Sequence, residues 1–412
     1  MKTMGKETKN LIVGLDIGTS KIVAMAAELT PDGQMEVRGI GSHESKGLRK
    51  GVVVNIEATV GAIQRALEEA ELMADAKITR VYTGIAGNHI RSFNSTGMVA
   101  IKDKEVTAID VDRAVETARA MPIPNDQQVL HILTQEFVID GQDGIREPLG
   151  MSGHRLEVKV HIVTGAVSAA QNIVKCVRRC GLEVADLVLQ PLASSVAVLS
   201  EDEKELGVAL VDIGGGTTDV AIFTHGAIRH TAVIPIAGDQ ITNDIAMALR
   251  TPTPEAEVIK LRHGVALRQL ADPREMVEVP GLGDRNAREL SRQTLAEVIE
   301  PRVEELYNLV QQVLRQSGYE ELISSGIVLT GGSAVMQGMV ELGEEIFHMP
   351  VRIGVPRYIG ALADVVRNPR YATAVGLLLE GKAQVDRGVM SRQGGSFKQT
   401  VTRMRDWFQK NF

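Results

Sequence analysis

The stretch Gly14-Leu15-Asp16-Ile17-Gly18-Thr19-Ser20-Lys21-Ile22-Val23 has a near-duplicate far downstream, Leu210-Val211-Asp212-Ile213-Gly214-Gly215-Gly216-Thr217-Thr218-Asp219. In each copy an apolar run ends at an aspartate, a glycine turn with hydroxyl side chains follows, and a second apolar run begins. This order of residues predicts a strand–turn–strand hairpin. For one copy alone, an ordinary tight hairpin is an equal alternative. Two copies predict a pair of facing loops that hold one nucleotide.

The turn residues of both copies suit phosphate binding. Glycine lets backbone N–H groups approach phosphate oxygens, and the hydroxyls add further donors. The residues that we expect to contact phosphate are Gly18, Thr19, Ser20, Lys21, Gly214, Gly215, Gly216, Thr217 and Thr218. A surface charge is an equal alternative for Lys21. Asp16 and Asp212 end their strands at the turn, where they are placed to hold Mg²⁺ through its water shell.

A third glycine element lies in residues 325–334, where a buried strand is predicted to run into the turn Gly331-Gly332. Such a turn lets a flat base or ribose lie against bare backbone. Glu257 and Lys260 stand at helical spacing and would bracket the ribose and adenine. No strand is followed by Gly-x-x-x-x-Gly-Lys-Ser/Thr, and no helix opens on Gly-x-Gly-x-x-Gly. The nucleotide is therefore not expected to bind in the P-loop or dinucleotide-fold manner.

Taken together, these elements resemble the actin, sugar-kinase and Hsp70 ATPase superfamily. The resemblance extends to two connecting segments, residues 189–195 and 370–376, and implies ATP and Mg²⁺ as ligands. It implies that a helix begins near Gly238 and that Gly238 approaches the nucleotide. It also places Gln190 where superfamily ATPases carry a side chain that orients the attacking water. A helix cap before Pro191 is an equal alternative for Gln190. Because no strong general base accompanies Asp16 and Asp212, we expect slow hydrolysis.

Composition bounds the class of protein. A chain of 412 residues with 44% apolar content is ample for two domains with sizeable cores. The net charge of −7 gives no basic footprint, so nucleic acid is not an expected partner. Cys176 and Cys180 are interpreted as core thiols rather than as a redox or metal site. The polar N-terminus lacks a signal-peptide core and no run approaches ~18 apolar residues, so we expect a cytoplasmic protein.

The chain is predicted to be an α/β, actin-like two-lobed ATPase with duplicated ribonuclease-H-like domains. Helices are predicted at 56–74, 108–119, 166–180 (with Gly181 as its cap) and 295–317, and strands at 92–101, 128–139 and 156–163. The predicted parts are first-lobe core in 1–81 and 165–206, an inserted α+β subdomain in 82–164, second-lobe core in 207–241 and 299–358, an upper subdomain that alternates helix with loop in 242–298, a return to the first lobe in 359–380, a flexible linker in 381–396, and a helix in 397–412.

The inserted subdomain decides between families within the superfamily. Its position and pattern are similar to the relocated subdomain of the FtsA family of bacterial cell-division proteins. The runs that carry the resemblance are Val81 to Gly87, Asp212 to Asp219, Arg292 to Arg302 and Ile327 to Gly332. The resemblance implies self-assembly, partners among downstream division proteins, and docking of the C-terminal peptide of the tubulin-like GTPase FtsZ on residues 242–298. Arg285, Arg288 and Arg292 are the candidate peptide contacts, and a solvated charged helix face is the alternative.

The last sixteen residues carry a second, independent pattern. At ~100° per residue, one face of a helix over 397–412 would hold Phe397, Val401, Met404, Trp407, Phe408 and Phe412, with Lys398, Arg403 and Lys410 opposite and Arg405 at the boundary. Aromatic residues beside cations behind a glycine-rich tether favour a reversible anchor on an anionic membrane surface. The family resemblance implies that this surface is the cytoplasmic face of the membrane at the division site. A helix docked on its own protein is the alternative.

Other members of the superfamily remain as alternatives. A sugar kinase would need a sugar pocket with an aspartate base between the lobes, and an Hsp70-type chaperone would need a β-domain after the ATPase. Neither gives a reason for the amphipathic tail. An MreB-like shape protein or a PilM-like pilus-assembly protein is a nearer alternative. The inserted subdomain argues against MreB, and the tail argues against both.

Overall fold

The computed structural model describes residues 11–283 and 285–393. The first part of the chain forms the beginning of one lobe: β1 (Leu11–Ile17), β2 (Lys21–Leu29), β3 (Met35–Glu44), β4 (Leu48–Arg49), β5 (Val52–Val53), α1 (Ile56–Ala74) and β6 (Arg80–Ile85). An inserted subdomain follows: β7 (Arg91–Ala100), α2 (Ala108–Arg119), β8 (Gln127–Ile139), β9 (Gln142–Ile145) and β10 (Arg155–Ala166). The chain then returns to the first lobe with α3 (Val167–Arg179), β11 (Glu183–Leu189), α4 (Gln190–Val198) and α5 (Glu201–Leu206).

The rest of the chain forms the second lobe and a closing helix. Its elements are β12 (Val208–Ile213), β13 (Thr218–Thr224), β14 (Ala227–Ile234), α6 (Gly238–Leu249), α7 (Thr253–His263), β15 (Met276–Val279), β16 (Arg288–Ser291), α8 (Arg292–Ser317), β17 (Ile327–Thr330), α9 (Met339–Phe347), β18 (Val351–Ile353), α10 (Ala363–Val366) and α11 (Ala372–Gln393). None of the helices described up to residue 393 is long and apolar enough to cross a bilayer.

The two lobes share one sheet topology. The first sheet has the strand order β11-β6-β1-β2-β3, and the second has β14-β13-β12-β17-β18. In each sheet three consecutive strands form an antiparallel meander. A later strand pairs in parallel with the first of them, and a second later strand pairs in parallel with that one. The strands of both central hairpins are almost wholly buried, which agrees with their continuous apolar runs. The structure therefore confirms the predicted pair of duplicated α/β lobes.

The inserted subdomain is a four-stranded antiparallel sheet with one helix on its face. The strand order is β7-β10-β8-β9, and α2 packs across β7 and β10. The helix begins where predicted because Thr107 and Asp110 form a reciprocal capping box that satisfies two otherwise unpaired N–H groups. Helix α2 has the predicted bounds. The ends of the three predicted strands agree with those of β7, β8 and β10 to within three residues.

Two helices join the lobes. One hydrophobic core cluster contains residues of both sheets together with α4 and α11. The packing is close: a Cβ at Gly376 of α11 would overlap the backbone of Ala193 in α4, and a Cβ at Gly14 of β1 would lie 2.8 Å from the Ala374 carbonyl oxygen. Glycine at these two contacts therefore lets α11 lie directly on α4 and on the first sheet.

Two predictions about organisation need correction. The flexible linker predicted from residue 381 is instead a continuation of α11 to Gln393. A Cβ at Gly381 would lie 2.5 Å from Ile12 and 2.7 Å from Tyr82, so this glycine serves close packing rather than freedom of the chain. Residues 242–298, expected to alternate helix and loop, also contain the hairpin β15–β16. The predicted membrane helix, residues 397–412, lies outside the described residues.

Candidate nucleotide-binding site

The two duplicated sequences form equivalent hairpins. In the first, the Gly18 N–H donates to the Lys21 carbonyl at 3.0 Å; in the second, the Gly214 N–H donates to the Thr217 carbonyl at 3.0 Å. Each bond closes a four-residue turn between two antiparallel strands. Each turn begins two residues after an aspartate at the end of its first strand. The predicted strand–turn–strand geometry is confirmed for both copies.

The two turns face each other at contact distance. A Cβ at Gly215 would overlap the Ser20 hydroxyl, and a Cβ at Gly216 would lie 2.7 to 2.9 Å from three side-chain atoms of Thr19. The hydroxyls of the first turn therefore lie against the bare backbone of the second. Thr19 Oγ1 also accepts a hydrogen bond from the Gly51 N–H at 3.0 Å. The chain thus brings two glycine turns, about 200 residues apart in sequence, to one place between the lobes.

Three buried carboxylates stand at the base of these turns. Asp16, Asp212 and Asp219 are each less than 10% exposed. The Gln190 amide donates to Asp16 Oδ1 at 3.2 Å, and the Ser194 hydroxyl donates to Asp212 Oδ2 at 2.6 Å. Ser194 in turn lies 3.0 Å from the Thr373 hydroxyl at the start of α11. Both predicted Mg²⁺-site aspartates are therefore held by the connecting segments that the sequence singled out.

Burial raises the pKa of all three carboxyl groups. Loss of water, opposed by the Lys21 charge and assisted by the Asp212 charge, raises the pKa of Asp16 to about 7. Burial raises the pKa of Asp219 to about 8, with Asp212 contributing, and it also raises the pKa of Asp212. Within the described residues, Asp219 Oδ1 is buried and has no hydrogen-bond partner. These crowded carboxyls fit a site that takes a cation.

Asp219 was not among the predicted site residues. Its side chain accepts a hydrogen bond from Thr217 at 3.2 Å, so it belongs to the second turn. The sequence did carry a signal for it, because Asp219 stands at the start of an apolar run that begins with Val220. A charged residue in an otherwise apolar strand needs a polar partner. Among residues 11–283 and 285–393, no three His, Cys, Asp or Glu side chains are arranged to hold a metal directly. That Asp16 and Asp212 hold Mg²⁺ through water stays a prediction.

Lys21 contacts the second connecting segment. Its ammonium group donates to the Arg370 carbonyl at 2.5 Å and lies 5.0 Å from the centre of the Tyr371 ring. Burial, together with the nearby Arg370 charge, lowers the pKa of Lys21 to about 8. The side chain is therefore tied into the wall between the lobes rather than extended as a surface charge.

The predicted nucleoside-binding residues lie next to the second turn. Helix α6 begins at Gly238, as expected, and the Gly238 N–H donates to the Gly214 carbonyl at 3.1 Å. Lys260 is buried: its ammonium donates to the Gly238 carbonyl at 3.1 Å and pairs with Glu257 at 2.7 Å. Thr242 joins this group through a short hydrogen bond to Glu257. Lys260 thus braces the start of α6.

The third glycine turn completes this side of the cleft. Gly331 has φ of +90°, and a Cβ there would overlap Asp212 Oδ1. Gly332 has open space where a side chain would be. Ser333 anchors the turn, because its hydroxyl donates to the Gly214 carbonyl at 2.9 Å. The phosphate, nucleoside and aspartate candidates therefore surround one cleft.

The three candidate arginines lie elsewhere, in the upper part of the second lobe. Arg285 is exposed in the turn between β15 and β16, Arg288 begins β16, and Arg292 begins α8. The alternative of a charged helix face is therefore wrong for the set. Arg288 donates to the Leu249 carbonyl at 2.6 Å, and Arg292 pairs with Glu275 at 2.9 Å.

Sequence comparisons agree on one family. The family described as cell division protein FtsA matches residues 209–376, and the SHS2 domain inserted in FtsA matches residues 87–164. The chain is 63% identical over 413 residues to cell division protein FtsA of Pseudomonas aeruginosa, covering 98% of this chain and 99% of that protein. It is 48% identical over 418 residues to cell division protein FtsA of Escherichia coli K12, with coverage of 98% and 99%.

Solved structures of similar fold are much more distant in sequence. The PilM–PilN type IV pilus biogenesis complex matches with a TM-score of 0.65 at 18% identity, covering 90% of this chain and 98% of that chain. MreB5 of Spiroplasma citri bound to ADP matches with a TM-score of 0.54 at 15% identity, covering 94% and 99%. At this identity the likeness establishes the actin-like fold alone.

Proposed function

The chain belongs to the FtsA family of cell-division proteins, and from that premise we propose that it binds Mg·ATP between its lobes and forms filaments that tether the FtsZ ring to the membrane. One observation carries the nucleotide part of the proposal. Two glycine turns face each other at contact distance, with three buried carboxylates at their base. Turns of this kind offer backbone N–H groups and hydroxyls to phosphate oxygens.

Each group has a role in binding. The glycine turns and the hydroxyls of Thr19, Ser20, Thr217 and Thr218 hold the phosphates, and Lys21 adds a cation. Gly238, Glu257, Lys260, Gly331 and Gly332 form the nucleoside side of the cleft. Asp16 and Asp212 hold the hydrated Mg²⁺, which neutralises phosphate charge when bound.

Hydrolysis, where it occurs, is slow. Gln190 positions the attacking water, and its amide is held by Asp16. Positioning by an amide supplies polarity and orientation but no proton acceptor. Nucleotide therefore acts mainly as a conformational ligand that favours assembly. An MreB-like or PilM-like function rests on fold similarity alone, which does not imply function.

The tether completes the proposal. Residues 397–412, whose sequence predicts an amphipathic helix, anchor the chain on the cytoplasmic face of the membrane at the division site. One such helix binds weakly, and a filament engages many helices together, so assembly controls membrane residence. Residues 242–298 receive the FtsZ C-terminal peptide, and the inserted subdomain receives downstream division proteins.

Gly216→Ala tests the nucleotide site. A Cβ there would lie 2.7 to 2.9 Å from the Oγ1, Cγ2 and Cβ atoms of Thr19, so no rotation of Thr19 removes the contact and the turns must separate. We expect the Kd for fluorescently labelled ATP with Mg²⁺ to rise at least tenfold, measured by fluorescence anisotropy.

Gly61→Ala is the matched control. Gly61 lies in α1, where an added Cβ meets nothing within 4 Å. This variant should bind ATP like the parent chain. If Gly216→Ala also binds ATP like the parent, the nucleotide does not lie between the two turns and the proposed site is wrong.

A further inference from the structure

The inserted subdomain meets the second lobe along a polar seam. The seam is formed by Ser92, Asn94 and Gln135 on one side and residues 228–231 of β14 on the other. The Ser92 hydroxyl donates to the Thr231 carbonyl at 3.0 Å, the Asn94 amide to the Arg229 carbonyl at 3.2 Å, and the Gln135 amide to the Ile228 carbonyl at 2.8 Å. Both β7 and β14 are edge strands of their sheets. Side chains rather than a shared ladder therefore join the two edges.

A cavity of about 520 Å³ opens on this seam. Its walls come from both sides, and they include Asn94, Gln135, Glu136 and Lys159 of the inserted subdomain and Arg229 and Tyr319 of the second lobe. The volume lies within the range of small-molecule sites. The lining is rich in amide, hydroxyl and charged groups. None of these residues belongs to the cleft of the phosphate turns.

Arg229 is the unusual member of this lining. The residue as a whole is 8% exposed, and the part that remains accessible lines the cavity. Its Nε donates to the hydroxyl and the carbonyl of Thr224, at 3.0 and 3.3 Å. Over residues 11–283 and 285–393, these are the only hydrogen bonds of its guanidinium group. The two terminal nitrogens, with four N–H donors, therefore have no protein acceptor. Neither nitrogen is among the buried side-chain atoms without a partner, so both keep contact with the solvent in the cavity, where ligand oxygens can replace water.

The cavity lining carries two cations, Lys159 and Arg229, and two acids, Glu136 and Asp143. Glu136 accepts from the Lys159 ammonium at 2.8 Å and from the Gly144 N–H at 3.2 Å. The hydrogen bond from Lys159 lowers the pKa of Glu136, and the charge of Arg229 contributes to that shift. Two cations thus share one carboxylate. Asp143, the other acid of the lining, is exposed, so water and salt screen its charge.

We propose that this seam cavity is a second ligand site, separate from the nucleotide cleft, and that it binds a small organic oxyanion through the free fork of Arg229. A carboxylate or a phosphate monoester presents two oxygens that match the planar guanidinium group, and Lys159 adds a second cation. The hydroxyl and amide groups of the wall suit a polar, hydroxylated body. A ligand held by both walls would fix the inserted subdomain against the second lobe.

Thermal shift and calorimetry on the full chain test the proposal. The probes are glycerol 3-phosphate, succinate and inorganic phosphate, each compared with sodium chloride at equal ionic strength. Mg·ADP is present in every sample to occupy the phosphate turns, so that binding of a probe to those turns does not raise Tm. We expect at least one probe to raise Tm and to bind with a measurable Kd. The two organic probes distinguish a phosphate from a carboxylate ligand, and inorganic phosphate alone would point to an adventitious ion.

Two variants test whether a probe binds in the seam cavity, because one removes a positive charge from its lining and the other removes a negative charge. Arg229→Gln should weaken binding at least tenfold. Glu136→Gln, which removes the carboxylate that the two cations share, should tighten binding by about threefold or more. Glu136→Gln also keeps the proposal testable if Arg229→Gln fails to fold. Equal behaviour of every probe and sodium chloride, or unchanged probe affinity in both variants, would overturn the assignment. The comparison between variants holds whether or not ADP binds.

Discussion

At the residue scale, the site is governed by carboxyls whose pKa values are raised. Asp16 and Asp219 hold protons near neutral pH because burial disfavours their charged forms. Their unfolded pKa is 3.8, so in the absence of a cation they add to the free energy of unfolding at low pH. That contribution is lost as pH rises from about 4 through about 7 to 8. A bound cation reverses the preference, because it favours the ionised carboxylates.

Mg·ATP binding should therefore strengthen with pH. Between about pH 6 and pH 8 we expect the Kd to fall by roughly tenfold, because one carboxyl with a pKa near 7 must release its proton at the lower pH. Calorimetry at three pH values, in buffers of different ionisation enthalpy, measures both the Kd and the protons released.

Asp219→Asn is the matched control for this prediction. It removes one titrating group and leaves the nucleotide's own phosphate titration in place, so its proton release should be smaller than that of the parent. Equal proton release and equal pH dependence in the two chains would rule Asp219 out of the linkage.

At the scale of elements, the hairpin β15–β16 separates the three candidate arginines by role. Arg292 donates to the His263 carbonyl at 3.0 Å and to the Gln337 side chain at 2.8 Å, besides its ion pair with Glu275. It therefore ties α8 to three neighbouring segments. Arg288 likewise joins β16 to the end of α6. Only Arg285 of the three is both exposed and placed in a turn. Its substitution should therefore lower the free energy of unfolding least.

Arg285→Glu should weaken binding of an acidic FtsZ C-terminal peptide by about threefold to tenfold without lowering Tm, because a rim charge contributes mainly electrostatic complementarity. Fluorescence anisotropy with labelled peptide measures the Kd. Arg262→Glu, which reverses an exposed cation on α7 of the same subdomain, is the control for net charge. Equal losses in the two variants, or none in Arg285→Glu, would remove Arg285 from the peptide site.

At the scale of the whole molecule, α11 links the nucleotide cleft to the end of the chain. It begins beside the Ser194–Asp212 hydrogen bond, packs along β1 and α4, and continues to Gln393. Residues 394–396 then lead to the predicted membrane helix. Gly376 and Gly381 hold α11 against α4 and the first sheet at contact distance.

Liposome co-sedimentation tests the tether and its coupling to assembly. The full chain should pellet with anionic liposomes, and more so with Mg·ATP, because a filament presents many weak helices together. A chain ending at Gly395 should remain in the supernatant under both conditions, and neutral liposomes should capture little of either chain. Equal pelleting of the two chains would mean that the tail is a docked helix, and the anchor would be wrong.

The sequence by itself determined the two hairpins, the helices with clear amphipathic or capping signals, and the family. These features are local: a glycine turn between two apolar runs, or a capping box such as Thr107 with Asp110, is specified by residues a few positions apart. The phosphate and nucleoside candidates followed from them. The structure places these candidates around one cleft.

Only the tertiary structure decided which distant groups meet. Gln190 reaches Asp16 across 174 positions, and Asp219 joins the carboxylate cluster, because the strand order brings both lobes to one cleft. The sequence around Gly381 predicts the start of a linker, yet Gly381 lies inside α11. Ile12 and Tyr82 leave no room there for a side chain. The guanidinium group of Arg229, bonded only through Nε among the described residues, lies where two sheet edges meet. Burial and long-range contact, which local pattern does not encode, account for each of these.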